Sequence, residues 1–299
     1  MPDRRPKDPN QVEGINGPVL RAESKERTTK DKRLMTKKRN YNLIFGIILS
    51  SFVVILLTVG VFWTPYNPDT MNASQRLKAP SAEHILGTDN FGRDIFSRVL
   101  KGGVSTLWIS VSTVLVGLIF GVIVGAFTGY YGGILDEVVM RLNDVLNSFP
   151  SILLSLVLVS LLGPGKKNVV IALGLLFIPS FARITRSEFS RIKSLDYVKS
   201  AKLIGVPSLR IMFVHILPNT INTLLSTIAI GFNNAVLAEA SLSFLGIGVQ
   251  PPDPSLGRML AESQTYLFSA PWYTLSAGGM IVLLILGFGL LSDGLGDIE

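Results

Sequence analysis

The stretch LIFGIILSSFVVILLTVGVFW, residues 43 to 63, runs for 21 residues without a charge. About 20 apolar residues carry a helix across a hydrocarbon core of about 30 Å, so this stretch predicts a membrane-spanning helix. It is longer than the apolar core of a secretory signal, about 7 to 15 residues. With 42 residues ahead of it, it predicts an uncleaved anchor. Outward from it the pattern recurs. Gly102 to Leu135, Val145 to Gly165, Ile216 to Ala238 and Thr265 to Ser292 are uncharged and long enough to span. Asn168 to Ala182 is shorter, 15 residues containing Pro179, and counts as a sixth span if Arg183 and Arg186 snorkel to the interface. GPGKKN, residues 163 to 168, predicts a tight turn just ahead of it.

Composition agrees. The chain is 48% hydrophobic and 16% charged, with a mean hydropathy of +0.44, whereas ordinary soluble domains are about a quarter charged. The expected fold class is all-α, a polytopic membrane protein of six transmembrane helices. The expected organisation is a basic disordered tail over 1–42, the first helix over 43–63 and an extracytoplasmic loop over 64–101. A core of five helices over 102–295 follows, interrupted by a charged loop at 183–218, and a short terminal segment covers 296–299. The chain has no Cys and two His, His84 and His215, which excludes disulfides and thiolate sites and argues against a His-rich metal site.

Basic residues orient the spans. Twelve Lys/Arg lie in residues 1 to 42, Arg141 follows the second span, and seven more lie between residues 183 and 218. The opposite side holds only eight, among them Arg93, Arg98 and Arg258. By the positive-inside rule both termini and the charged loop are cytoplasmic. This asymmetry accounts for the net charge of +7 without a nucleic-acid partner. The mixture of Lys, Glu, Asp, Pro and Asn in the tail is that of a disordered segment, although basic tails also bind anionic lipid or RNA.

Within the spans, Gly117, Gly121, Gly125 and Gly129 recur every fourth residue on one helix face, where small residues let a second backbone approach closely. A gate or subunit seam and packing within the bundle are both open readings. Asn233, Asn234 and Glu239 are polar groups inside the fifth span, and such groups need a partner or water. A pathway lining, an interfacial position and a structural hydrogen bond are the alternatives.

Between two apolar runs lies SLDYVKSAKLIGVPSLRIMFVHILPN, residues 194 to 219. Ser194 reads as an N-cap, Asp196 suits the first-turn dipole, and Gly205 with Pro207 reads as a stop, which predicts a helix of about ten residues. Tyr197, Ala201 and Ile204 share an apolar face, while Ser200, Ala201 and Gly205 are small enough for close approach. Ser208 reads as the cap of a second short helix ending near Pro218. Neither is long enough to span, and an amphipathic connector lying on the membrane is the alternative to a docking element.

Asp196, Ser200, Ala201, Gly205 and the run His215 to Asn219 resemble the EAA loop of bacterial ABC importer permeases. LGTDNFGRDIFSRV (residues 86 to 99), LAEASLSFLGIGVQPPDPSLGRML (237 to 260), PWYTL (271 to 275) and LLSDGLGD (290 to 297) are similar to the C-type permease of dipeptide, oligopeptide and nickel importers. The resemblance runs from about residue 40 to the end. Ser200 stands where many members have Ala, and Gly296 where a basic residue is common.

The resemblance implies a division of labour. Two related permease subunits form the pathway, two cytoplasmic ATPases bind ATP and Mg²⁺, and an extracytoplasmic binding protein delivers the substrate. The segment bearing Asp196, Tyr197, Ser200, Ala201, Ile204 and Gly205, with His215 and Pro218, would couple the permease to an ATPase. No cofactor is expected in this chain, which lacks G-x-x-x-x-G-K-[ST]. Peptide is the expected cargo, because no soft or imidazole ligands line a span; nickel or another small solute is the alternative within the family. A stand-alone carrier or channel would carry inverted repeats or a selectivity ring. A membrane enzyme would need a nucleophile with its base or a metal cluster.

Overall fold

A computed structural model describes residues 41–296; the tail expected over 1–42 and the segment expected over 296–299 lie almost wholly outside them. The described residues form nine helices, besides the short 3₁₀ turns Ala73–Gln75 and Gln264–Tyr266, and no strand. They are α1 Tyr41–Phe62, α2 Ile95–Tyr131, α3 Gly133–Ser148, α4 Ser151–Leu162, α5 Lys166–Lys193, α6 Asp196–Leu203, α7 Ser208–Phe244, α8 Leu256–Ser263 and α9 Pro271–Gly296. Helices α1, α2, α5, α7 and α9 are each long and apolar enough to cross a membrane.

The third expected span is not one helix. The chain bends by 92° between α3 and α4, where Pro150 lacks an N–H and disfavours a helical conformation at Phe149. The arm α4 has 12 residues, about 18 Å, so it cannot cross alone. The fold therefore has five through-helices and a sixth span only if the bent pair counts as one.

Two other spans are longer than expected. Asp94 caps α2, accepting from the Ser97 N–H at 2.8 Å, so the helix starts seven residues before Gly102 and takes in Arg98 and Lys101. At 37 residues it is about 55 Å long, more than a bilayer with its headgroups, so one end projects from the membrane. Helix α5 passes through Pro179 and Arg183 to Lys193. Arg183 and Arg186 do not merely snorkel. Arg186 makes a two-pronged pair with Asp136 at 2.9 and 2.5 Å, and Arg183 meets Asp144 at 2.5 Å, which ties α3 to α5.

The glycine stripe of α2 lies against α5 of the same chain. A methyl at Gly121 would stand 2.5 Å from Phe181 Cβ and 2.9 Å from the Ile178 carbonyl; one at Gly129 would stand 2.6 Å from the Arg186 carbonyl. The two backbones touch along about three turns, and Gly117 and Gly125 continue the seam against Phe177 and Thr185. In lipid such contact is held by dispersion and weak C–H···O contacts rather than by exclusion of water.

Candidate functional site

Three features carry chemistry. The first is the charged segment after α5. Ser194 does not cap α6: its hydroxyl donates to the Arg191 carbonyl at 2.7 Å, closing α5, and Leu195 occupies the N-cap of α6 with no side-chain cap. The helix has eight residues rather than ten. Gly205 ends it with φ +84°, a left-handed turn that disfavours any side chain, while the Val206 N–H reaches back to the Ala201 carbonyl at 3.1 Å. Nor does a separate helix end near Pro218. From Ser208 the chain winds through a π turn, Ile211–Ile216, and a 3₁₀ turn, Leu217–Thr220, into the regular helix Ile221–Phe244. Pro218 sits in the first turn before that regular stretch, where a missing N–H costs nothing.

This segment is anchored on one side and open on the other. Val198 is buried with Ile192, Ile211, Met212 and Ile216, and Ala201 packs against them. The Asn219 amide donates to the His215 carbonyl at 2.7 Å and reaches the Tyr197 hydroxyl at 3.3 Å, which joins α6 to α7. Asp196, Ser200 and Tyr197 are exposed, and Leu203 and Ile204 present 87% and 81% of their surfaces. The apolar face expected at Tyr197, Ala201 and Ile204 is thus split: Ala201 turns to the bundle, and Tyr197 and Ile204 turn outward with Leu203.

The second feature is a half-open cleft of about 450 Å³ between α3–α4, α5 and α7. Asn147, Ser151, Ser180, Thr227, Asn234 and Ser241 supply its polar groups, and no charged side chain lines it. The three polar residues grouped in the fifth span part company here. Asn234 faces the cleft. Asn233 turns away toward Gly289 of α9, its Oδ1 buried without a partner. Glu239 is fully buried, accepting from Thr106 and Ser243 at 2.7 Å each, so it bonds α7 to α2 and does not line the cleft.

The third feature lies at the opposite end from α6. Asp89 is fully buried, accepting from Arg93 at 2.6 Å and facing Arg98 at 3.5 Å. Glu262 of α8 meets the same two guanidinium groups at 3.1 and 3.5 Å and accepts from the Tyr273 hydroxyl at 3.0 Å. His84, within the segment expected as an extracytoplasmic loop, is buried between Asp94 at 2.9 Å and Gln75 at 3.1 Å. Stripped of their counter-charges, these ions would each cost several kcal/mol to bury, so the network locks the loop to α2, α8 and α9. In the sequence Asp89, Arg93 and Arg98 stand in the motif LGTDNFGRDIFSRV, which shows nothing of their partner Glu262. The available signal was Arg98 and Lys101, two charges abutting an apolar run.

Among the described residues no three His, Asp or Glu side chains form a group fit to hold a metal. Residues 117–298 match the family model described as binding-protein-dependent transport system inner membrane component. The dipeptide transport system permease protein of Alkalihalophilus pseudofirmus is 40% identical over 261 residues, 87% of this chain and 86% of that protein. Its counterpart in Haemophilus influenzae is 37% identical over 87% of this chain and 90% of that protein. The glutathione transport system permease protein of Pectobacterium atrosepticum is 37% identical over 90% and 92%.

Proposed function

Because the chain belongs to the family of binding-protein-dependent transport system inner membrane components, the permeases of ABC importers, we propose that it forms half of the pathway of a peptide importer. The peptide assignment is supported by relatives named for dipeptide and for glutathione transport, glutathione being itself a small peptide. A permease of this kind is not an enzyme and holds no cofactor; ATP and Mg²⁺ belong to separate ATPase subunits. The partners in this reading are a second permease, two ATPases and a binding protein on the far side, in a bacterial inner membrane with both termini cytoplasmic. The basic residues clustered beside α6 support that orientation.

The observation that carries the coupling role is the one-sided burial of α6. Val198 and Ala201 hold the helix to the bundle, while Leu203 and Ile204 stand out at its tip as apolar groups left largely uncovered by the described residues. An ATPase seated on this tip moves the bundle only if its contact energy differs between its open and closed states. The cleft is this chain's share of the path. Amide and hydroxyl groups without a fixed charge suit a cargo that is itself rich in amides and varies in side-chain charge.

The test is the double variant Leu203→Asp with Ile204→Asp in the whole importer. Both side chains are exposed, so the permease should insert and fold as before. ATP-driven uptake and recovery of the ATPases with the permease should each fall by about tenfold or more. Uptake at the unaltered rate would remove the coupling role from this segment and leave the cleft assignment standing.

A further inference from the structure

A second cavity, next to α6, has no part in the transport reading. Tyr130 at the end of α2, Ser190, Lys193 and Ser194 at the end of α5, and Val198, Lys199 and Lys202 of α6 line a half-open hollow of about 400 Å³. Three ammonium groups share its wall. Lys193 is held in place: its Nζ donates to the Tyr130 carbonyl and stands 5.6 Å from the Tyr130 ring centroid. Neither Lys193 nor Lys202 has a carboxylate partner among the described residues, and Lys199 meets only the exposed Asp196, at 3.3 Å. The Ser190 hydroxyl has no partner among them either. The Ser194 hydroxyl is already committed to the Arg191 carbonyl.

Like charges held in one hollow repel, and an anion between them relieves the repulsion. The donors present are compact ammonium groups and a hydroxyl, which suit the tetrahedral oxygens of phosphate. The depth fits as well. The exposed apolar side chains of α2 run from Trp108 to Ile123, and the helix closes on the perpendicular rings of Tyr130 and Tyr131, 5.2 Å apart. Exposed tyrosines are enriched at headgroup level; Tyr131 is such a residue, and the hydrogen bond to the neighbouring, buried Tyr130 holds Lys193 beside it.

We propose that this hollow binds a phosphate-bearing anion, either the headgroup of an anionic phospholipid or free phosphate. At about 100° per residue, Lys199 and Lys202 occupy one flank of α6 and Tyr197 and Ala201 the other. Leu203, four residues on from Lys199, borders the lysine flank, and Ile204 falls on the opposite side with Tyr197. A bound anion bridges α6 to the ends of α2 and α5 and sets the position of the helix.

The experiment uses the full chain in nanodiscs containing phosphatidylcholine with phosphatidylglycerol, followed by gentle release and native mass spectrometry of retained lipid. The wild type should retain phosphatidylglycerol over phosphatidylcholine. Lys202→Gln, which removes no internal bond, should weaken retention about fivefold, and Lys193→Gln with Lys202→Gln about 25-fold. Arg141→Gln, an exposed residue paired with Glu137 outside the hollow, should leave it unchanged. A second arm adds millimolar inorganic phosphate. Displacement of the lipid by phosphate assigns the site to the free anion, and persistence assigns it to the headgroup. Equal retention of both lipids by the wild type with no detectable phosphate binding, or retention untouched in the double variant, would overturn the proposal. So would a double variant that keeps its lipid but loses its ATPases, because the lysines would then belong to a protein interface.

Discussion

At the scale of single residues, two glycines with opposite surroundings separate packing from propensity. Gly121 faces Phe181 across the α2–α5 seam with no room for a methyl, whereas Gly279 of α9 has open space around its Cα. In a helix interior Ala is intrinsically better than Gly by about 0.5–1 kcal/mol. Gly279→Ala should therefore raise the thermal midpoint of the detergent-solubilised protein slightly. Gly121→Ala should lower it, because overpacking costs about 1–3 kcal/mol and outweighs the propensity gain. If the two variants shift the midpoint in the same direction, the seam is looser than its geometry implies. The four-residue spacing was legible in the sequence. Its partner was not, since periodicity names a face and says nothing about what lies against it.

At the scale of elements, the bent pair α3–α4 is where pattern reading gave the wrong shape. Val145 to Gly165 is uncharged, and an uncharged run of that length reads as one span. Phe149 and Pro150 break it, and the charged half is then drawn alongside α5 by Arg186–Asp136 and Arg183–Asp144. Both arginines are more than a third exposed, so each pair is worth at most about 1 kcal/mol. Replacing both with Gln should thus leave global stability nearly unchanged while hydrogen exchange across residues 133–148 speeds up. Exchange in that stretch unaltered from the wild type would mean that the bend itself, and not the ion pairs, holds α3. A similar lesson comes from α6 and α7. Ser194, Ser208 and Pro218 are residue types that mark boundaries, but here Ser194 closes the preceding helix and Pro218 falls in a tolerated first turn.

At the scale of the whole molecule, the cleft and the buried charge network divide the polar residues between passage and construction. The natural absence of cysteine allows single-cysteine labelling without background. In the assembled importer Asn234→Cys should react with a water-soluble thiol reagent, and its neighbour Asn233→Cys should be protected by α9. Equal reactivity of the two would dissolve the distinction between cleft and packing faces. The sequence by itself determined that the chain is helical and crosses a membrane several times, because uncharged runs of about 20 residues have no other low-energy place in or near lipid. It also displayed the family motifs, and the basic asymmetry that predicts which end faces the cytoplasm. Only the tertiary structure decided which polar groups meet. Glu262 lies 169 residues from Arg93 and 164 from Arg98, yet it joins them and Asp89 in one largely buried network. Asn233 and Asn234 are adjacent in sequence yet face different surroundings. Local rules act over a few residues, whereas burial and charge pairing depend on elements that approach one another only when the bundle is packed.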